Sequence, residues 1–217
     1  MDFAVARENM IYCQLRTNQV TDERILSAMS SLPRERFVSR GREDMAYVDI
    51  DVPCGEGRKL MTAMASARLI QEAAIQPSDE VLCIGAGTGY SVAVMAGLAS
   101  SVIALESDKA CAAKAGELFS ELNLDNAVIV EGPLVEGWAA ESPYDVILLD
   151  GMISEVPPQI LGQLGNRGRL VAVVDSGNSI GRATKFVKTS GNISSRAFFD
   201  IRIGRLLEFE KKQGFVF

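Results

Sequence analysis

The chain has 217 residues, of which 47% are hydrophobic and 23% charged, and its formal net charge is −6. That length suits a single domain with a sizeable core, the acidic balance argues against non-specific nucleic-acid binding, and no apolar run nears the roughly 18–20 residues that cross a bilayer. Histidine is absent, which excludes a Ser-His-Asp triad, a Cys-His pair and a histidine-ligated metal.

Residues 3–16 predict a helix. A second is expected over "TDERILSAMSSL" (21–32), with Thr21 as N-cap, Asp22 and Glu23 in the first turn, and one apolar stripe of Ile25, Leu26, Met29 and Leu32. Pro33 stops it. Residues 33–60, rich in charge, Gly and Pro, read as irregular, and "MTAMASARLIQEAAI" (61–75) returns to helix. Strand and helix then alternate. Strands are expected at 80–85, 101–106, 126–132, 144–150 and 168–174, with helices at 89–99, 108–122 and 155–164. "YDVILLD" (144–150) is a continuous apolar run, the mark of a strand buried on both faces. The expected fold is α/β, a doubly wound and mainly parallel Rossmann-like sheet. The tail (183–203) resembles two strands around a Ser-Gly-Asn turn, an antiparallel edge. One domain is expected, with a helical and loop-like part (1–75), a ligand-binding core (76–175) and a β-rich part (176–217).

Cys13, Cys54, Cys83 and Cys111 show no C-x-x-C spacing and read as packing residues, with no metal site. The N-terminus "MDFAVARENM" lacks the apolar core of a secretory signal. The expected location is cytoplasmic, with neither membrane nor nucleic acid as partner. Apolar residues in "QGFVF" (213–217) are expected to pack on the domain or on a neighbour.

"VLCIGAGTGY" (81–90) places Gly85, Gly87 and Gly89 between a strand and a helix. Such a loop brings backbone N–H groups close to a ligand. The dinucleotide fingerprint is G-x-G-x-x-G, whereas the spacing here is G-x-G-x-G, with Tyr90 at the position of that third glycine. This spacing suits a ligand without a pyrophosphate, and S-adenosyl-L-methionine is the common one on such a sheet. Gly85, Ala86, Gly87, Thr88 and Gly89 are the candidate cofactor loop. Glu106 ends the next strand, where a carboxylate accepts hydrogen bonds from ribose hydroxyls.

Several segments together resemble the protein-L-isoaspartate O-methyltransferase family. "LPRERFV" (32–38) resembles its V-P-R-x-x-F-V segment, and "AYVDIDVPCGEG" (46–57) its A-Y-x-D-x-x-L-P-I-G-x-G segment. "VPPQILGQLGNRGRLV" (156–171) is similar to the stretch after the family's fourth strand, and the "EGW" at 136–138 sits where the family has Gly-Trp. The resemblance covers roughly residues 10–175. It implies methyl transfer from S-adenosyl-L-methionine to the free α-carboxyl of isoaspartyl residues in damaged proteins. A carboxylate with a pKa near 4 is already ionised at pH 7. No general base is needed, and alignment can supply roughly 7–11 kcal/mol at best.

The sequence departs from the family's pattern at four places. The family's Q-T-I-S-x-P run falls on Arg58 to Ala63, so its serine becomes Met61, and Thr62, one position later, is either a catalytic hydroxyl or an N-cap. An acidic residue before the loop becomes Cys83. The G-D-G motif becomes Gly132, Pro133 and Leu134, which removes a side-chain acceptor for the adenine amino group. The threonine ending the fourth strand becomes Asp150, at the sheet edge where α/β sites form, or else a structural cap. Arg58 and Lys59 are candidates to attract an anionic acceptor in place of the lost hydroxyl. Two other readings stay open: methylation of a different acceptor, and a catalytically silent relative that binds the cofactor or a partner.

Overall fold

The computed structural model describes residues 1–177 and 180–210, so "QGFVF" lies outside the described residues. At the N-terminus, α1 (Phe3–Asn9) starts at Asp2, whose side chain accepts from the amides of Ala4 and Val5. It runs on as a wider, π-helical turn over Met10–Leu15, which carries Met10, Ile11 and Leu15 into the core. The cap of α2 (Glu23–Ser31) is Asp22 and not Thr21: the Asp22 carboxylate accepts from the Arg24 amide. The Thr21 amide instead donates to Gln71 Oε1 at 2.7 Å. The irregular stretch closes in a two-residue hairpin, β1 (Val52–Pro53) against β2 (Lys59–Leu60). Then comes α3 (Ala63–Ala73).

The sheet follows the alternation expected from the apolar pattern. Its elements are β3 (Glu80–Ile84), α4 (Tyr90–Ala96), β4 (Ser101–Glu106), α5 (Lys109–Glu121), β5 (Ala127–Glu131), β6 (Tyr144–Ile153), α6 (Pro158–Gly162), β7 (Leu164–Asp175), β8 (Gly181–Thr189) and β9 (Asn192–Ile201). The seven strands lie in the order β5-β4-β3-β6-β7-β8-β9. The first five are parallel, and β8 and β9 form the antiparallel edge.

Alternate residues of the central strands enter separate cores, as a period of two requires. Val81, Cys83, Val146, Leu148, Val171 and Val173 pack with residues of α2, α3, α4 and α5. Leu82, Ile84, Ile147, Leu149, Leu170 and Ala172 pack on the other face with Ile160 of α6, Leu134, Leu206 and Phe209. This second face is covered near the strand ends by irregular chain, including residues from beyond β9.

A buried cation ties the N-terminal part to the core. Arg34 is 0% exposed. Its Nε donates to the Ala46 carbonyl at 2.7 Å, its Nη2 to the Met61 carbonyl, and its guanidinium carbon lies 4.6 Å from the centre of the Tyr90 ring. Arg34→Ala strands two buried carbonyls and loses the cation–π contact, an expected loss of about 2–4 kcal/mol. Urea unfolding of the variant beside the wild type measures it, and a change within 0.5 kcal/mol, roughly the surface-substitution range, contradicts the assignment.

Candidate functional site

The chain runs outward from β3 to β4 and β5, then returns to β6 on the other side of β3. The crevice beyond the carboxyl ends of β3 and β6 is therefore the switch point at which open α/β sheets take ligands. The glycine loop borders it. Gly85, Gly87 and Gly89 have φ of +78°, +55° and +91°, a backbone region that favours glycine. The Gly85 and Ala86 amides donate to the Leu105 carbonyl at 2.9 and 3.2 Å, which holds the loop to the end of β4. A Cβ on Gly89 would stand 2.5 Å from the Phe119 ring, so the loop meets α5 at a separation only glycine permits. Ala86 is buried, and Thr88 turns its hydroxyl away to donate to the Phe37 carbonyl at 2.5 Å.

Glu106 closes β4 with a fully buried side chain. Its carboxylate accepts from the amides of Gly87 at 2.7 Å, Ser107 at 2.7 Å and Asp108 at 2.9 Å. Ser107 Oγ lies 3.5 Å from Oε1, and the charged donor is Arg58, from the β1–β2 turn. Its Nε lies 3.0 and 3.1 Å from the two Glu106 oxygens, and its Nη2 lies 2.8 Å from Oε1. The other edge of the guanidinium meets Glu208, at 2.5 Å from Nη2 and 3.4 Å from Nη1. Ser107 Oγ completes the group, 2.9 Å from Arg58 and 2.7 Å from Glu208. Burial works against the Arg58 charge, but its hydrogen bonds to Glu106 and Glu208 outweigh burial and raise its pKa. Burial likewise raises Glu208, yet Arg58 and Ser107 bring it below its ordinary value.

A leucine fills the crevice itself. A Cβ on Gly85 would lie 2.7 Å from Leu206 Cδ2, and one on Gly151 would lie 2.8 Å from Leu206 Cγ. Leu206 is held there by its own backbone, because its amide donates to the Met152 carbonyl at 2.9 Å and the Met152 amide donates to the Gly204 carbonyl at 2.8 Å. Phe209 packs beside it with Leu134. The space left among the glycine loop, Arg58 and Leu206 is about 20 Å³, room for about one water molecule. Next to it, an open cleft of about 450 Å³ is bordered by Asp51, Lys59, Met152, Arg202, Arg205 and Leu207.

Asp150 reaches the crevice through a break in register. β6 and β7 pair at Leu148–Val171 and again at Met152–Val173, so Leu149, Asp150 and Gly151 lie opposite Ala172 alone. Bulges of this kind re-aim side chains beside ligand sites. The Asp150 carboxylate accepts from Ser91 Oγ at 3.0 Å, and Ser91 Oγ lies 3.1 Å from Ser66 Oγ. Burial pushes the Asp150 carboxyl up to about 7 against the opposing pull of the Ser91 hydrogen bond and the Arg34 charge.

The expected loop residues, Glu106 and Asp150 thus converge. Gly132 joins them through its amide, which donates to the Glu106 carbonyl at 3.1 Å, and Pro133 leads into buried Leu134. Thr62 serves differently: its hydroxyl accepts from the Ala65 amide at 3.2 Å as the N-cap of α3. Arg58 is not a free cation offered to an acceptor, since it is only 7% exposed and faces two carboxylates. Leu206 and Glu208, from the tail, were invisible to sequence reasoning because no motif marks them. Among the described residues, no group of three or more Cys, Asp or Glu is placed to hold a metal. No described helix is long and apolar enough to cross a membrane.

The residue set suits an adenosyl group: a strand-end acid, a glycine backbone without Cβ atoms, and the apolar Leu134. Arg58 occupies that acid, and Leu206 occupies that glycine surface.

The family described as protein-L-isoaspartate(D-aspartate) O-methyltransferase matches residues 6–203. A protein-L-isoaspartate O-methyltransferase of Koribacter versatilis is 37% identical over 174 residues, covering 80% of this chain and 78% of that one. Another, of Methanoculleus marisnigri, is 34% identical over 189 residues, covering 87% and 86%. A solved protein-L-isoaspartate O-methyltransferase superposes with a TM-score of 0.80 at 25% identity, over 92% of this chain and 65% of that one. A Plasmodium falciparum chain in complex with S-adenosyl-L-homocysteine shares the fold, with a TM-score of 0.78 at 18% identity over 95% of this chain and 98% of that one.

The raised Asp150 pKa has a consequence for stability. From an ordinary 3.8 to about 7 when folded, the folded state binds more protons than the unfolded state, so stability falls as pH rises through that window. Asp150→Asn removes this loss. Its stability relative to wild type is expected to increase from pH 5 to pH 8 in urea unfolding, and an identical difference at both pH values contradicts the assignment.

Proposed function

The chain belongs to the protein-L-isoaspartate(D-aspartate) O-methyltransferase family, and from that premise we propose that it transfers a methyl group from S-adenosyl-L-methionine to the free α-carboxyl of isoaspartyl residues in damaged proteins. The family match over residues 6–203 carries this reading. Glu106 is assigned to the ribose hydroxyls and the Gly85–Gly89 backbone to the methionyl side of the cofactor. Adenine is assigned to the apolar surface at Leu134, because Pro133 offers no side-chain acceptor.

The cofactor supplies a sulfonium methyl, which is already an electrophile. The acceptor carboxylate is ionised at pH 7, so the chain's own residues need only align the two groups and exclude water. That division of labour suits a protein without histidine. Thr62 caps α3 and so fixes the start of that helix. Lys59 and Arg202, which border the open cleft from outside the segment 204–210, are assigned to the entering anionic acceptor. Cys13, Cys54, Cys83 and Cys111 are free, which suits a reducing, cytoplasmic setting.

Labelled methyl transfer to an isoaspartyl peptide, beside its aspartyl control, tests the reading. Label is expected in the isoaspartyl peptide alone. Compared within the Arg58→Gln background, so that the lost Arg58 pair is common to both proteins, Glu106→Gln is expected to weaken binding of S-adenosyl-L-homocysteine by roughly tenfold or more, from the loss of charge-assisted hydrogen bonds at about 1.5–3 kcal/mol each. Equal labelling of both peptides, or none above blank, contradicts the assigned acceptor.

A further inference from the structure

We propose that this chain carries an internal competitor for its own cofactor: Arg58, latched by Glu208, takes the place of the ribose on Glu106, while Leu206 takes the place of the ligand against the glycine loop. The proposal rests on the cofactor reading above and adds to it that cofactor binding and docking of the segment Gly204–Phe209 exclude one another.

Four observations converge on it. First, the carboxylate assigned to the ribose has its acceptor positions already taken. Three backbone amides and the Arg58 guanidinium already surround it. Second, the guanidinium is a built-in partner and not a passing surface cation, because it is buried and spans two acids at once. A planar fork of this kind mimics a pair of hydroxyl donors. Third, Leu206 contacts glycines at the ends of both strands that flank the switch point, Gly85 after β3 and Gly151 in β6. Fourth, the same short segment supplies both elements. Leu206 plugs, Glu208 latches, Phe209 is buried beside Leu134, and the Phe209 carbonyl accepts from Ser154 Oγ. About 20 Å³ remains open, far too little for a nucleoside.

The segment is attached in a way that permits release. It follows β9 and meets β6 through two backbone hydrogen bonds at Met152, which together make one isolated bridge, Met152–Arg205, instead of a continuous ladder. Arg205 adds an ion pair to Asp175 at 2.6 Å. Ligand binding therefore has a specific structural consequence: residues 204–210 become more exposed.

The proposal is tested on the full chain with S-adenosyl-L-homocysteine as the probe, by calorimetry and by hydrogen exchange of residues 204–210. A protein whose competent state is populated about one time in ten binds about tenfold more weakly, and removing the competing state recovers that factor. Arg58→Gln keeps a donor near the buried Glu106 but loses the ion pair, and is expected to bind the probe about tenfold more tightly than wild type. Glu208→Gln leaves the Arg58–Glu106 pair in place. It guards against a folding defect in the first variant and is expected to tighten binding about threefold. In wild type, the probe is expected to accelerate exchange at Leu206 and tryptic cleavage after Arg205, where ordinary binding would slow both. If wild type binds the probe as tightly as both variants, or the probe protects the segment, the competitor is overturned while the cofactor reading stands. If neither wild type nor either variant binds, both are overturned.

Discussion

The Glu106 carboxylate is withdrawn from water entirely, and a buried charge persists only with hydrogen bonds and an opposite charge around it. Meeting that need organises the site. The Gly87 amide supplies one bond, which sets the glycine loop. The amides of Ser107 and Asp108 supply two more, and Asp108 in turn caps α5 by accepting from the Cys111 amide at 2.7 Å. Arg58 supplies the cation and brings the β1–β2 hairpin with it, and its outer edge draws in Glu208. Loop, hairpin, helix start and tail are thus held together by one acid.

The departures from the family's pattern take on a common sense around that acid. Arg58 begins the stretch that corresponds to the family's Q-T-I-S-x-P run, and in this chain it serves the cofactor crevice. Pro133 offers no side-chain acceptor, and Leu134 beside it in sequence packs with Phe209. Met61 is buried, and its carbonyl is held by Arg34. Of these changes, Arg58 is the one whose side chain closes on the crevice acid. None disturbs the strand order, although one face of the sheet packs on the site's own Leu134, Leu206 and Phe209.

The fold was largely legible because its signals are local. The strands follow from apolar runs, and "SVIALE" matches β4 at both ends, whereas β6 runs on from the expected 144–150 to Ile153 and β7 starts at Leu164, ahead of the expected 168; the antiparallel edge follows from the Ser-Gly-Asn turn. Thr21 and Asp22 both carry oxygens suited to capping α2, Gln71 accepts from the amides of both, and only the Asp22 carboxylate reaches the Arg24 amide. The glycine loop and Glu106 were readable from spacing along one βαβ unit. The partners of Glu106 were not, because Arg58 and Glu208 approach it only through tertiary folding and share no motif with it. The bulge that aims Asp150 was equally hidden, since register against β7 cannot be read from β6 alone. Thr62 illustrates the opposite case: its two readings were both visible, and backbone geometry assigns it to the cap.

What distinguishes this account from the family pattern is the identity of the group that faces Glu106 when ligand is present. A crystal structure of the chain with S-adenosyl-L-homocysteine addresses it directly. The expected result has both ribose hydroxyls on Glu106, the Arg58 guanidinium moved off it, and Leu206 withdrawn from Gly85 and Gly151. A ligand bound in the crevice with the Arg58–Glu106 pair and Leu206 unmoved contradicts it.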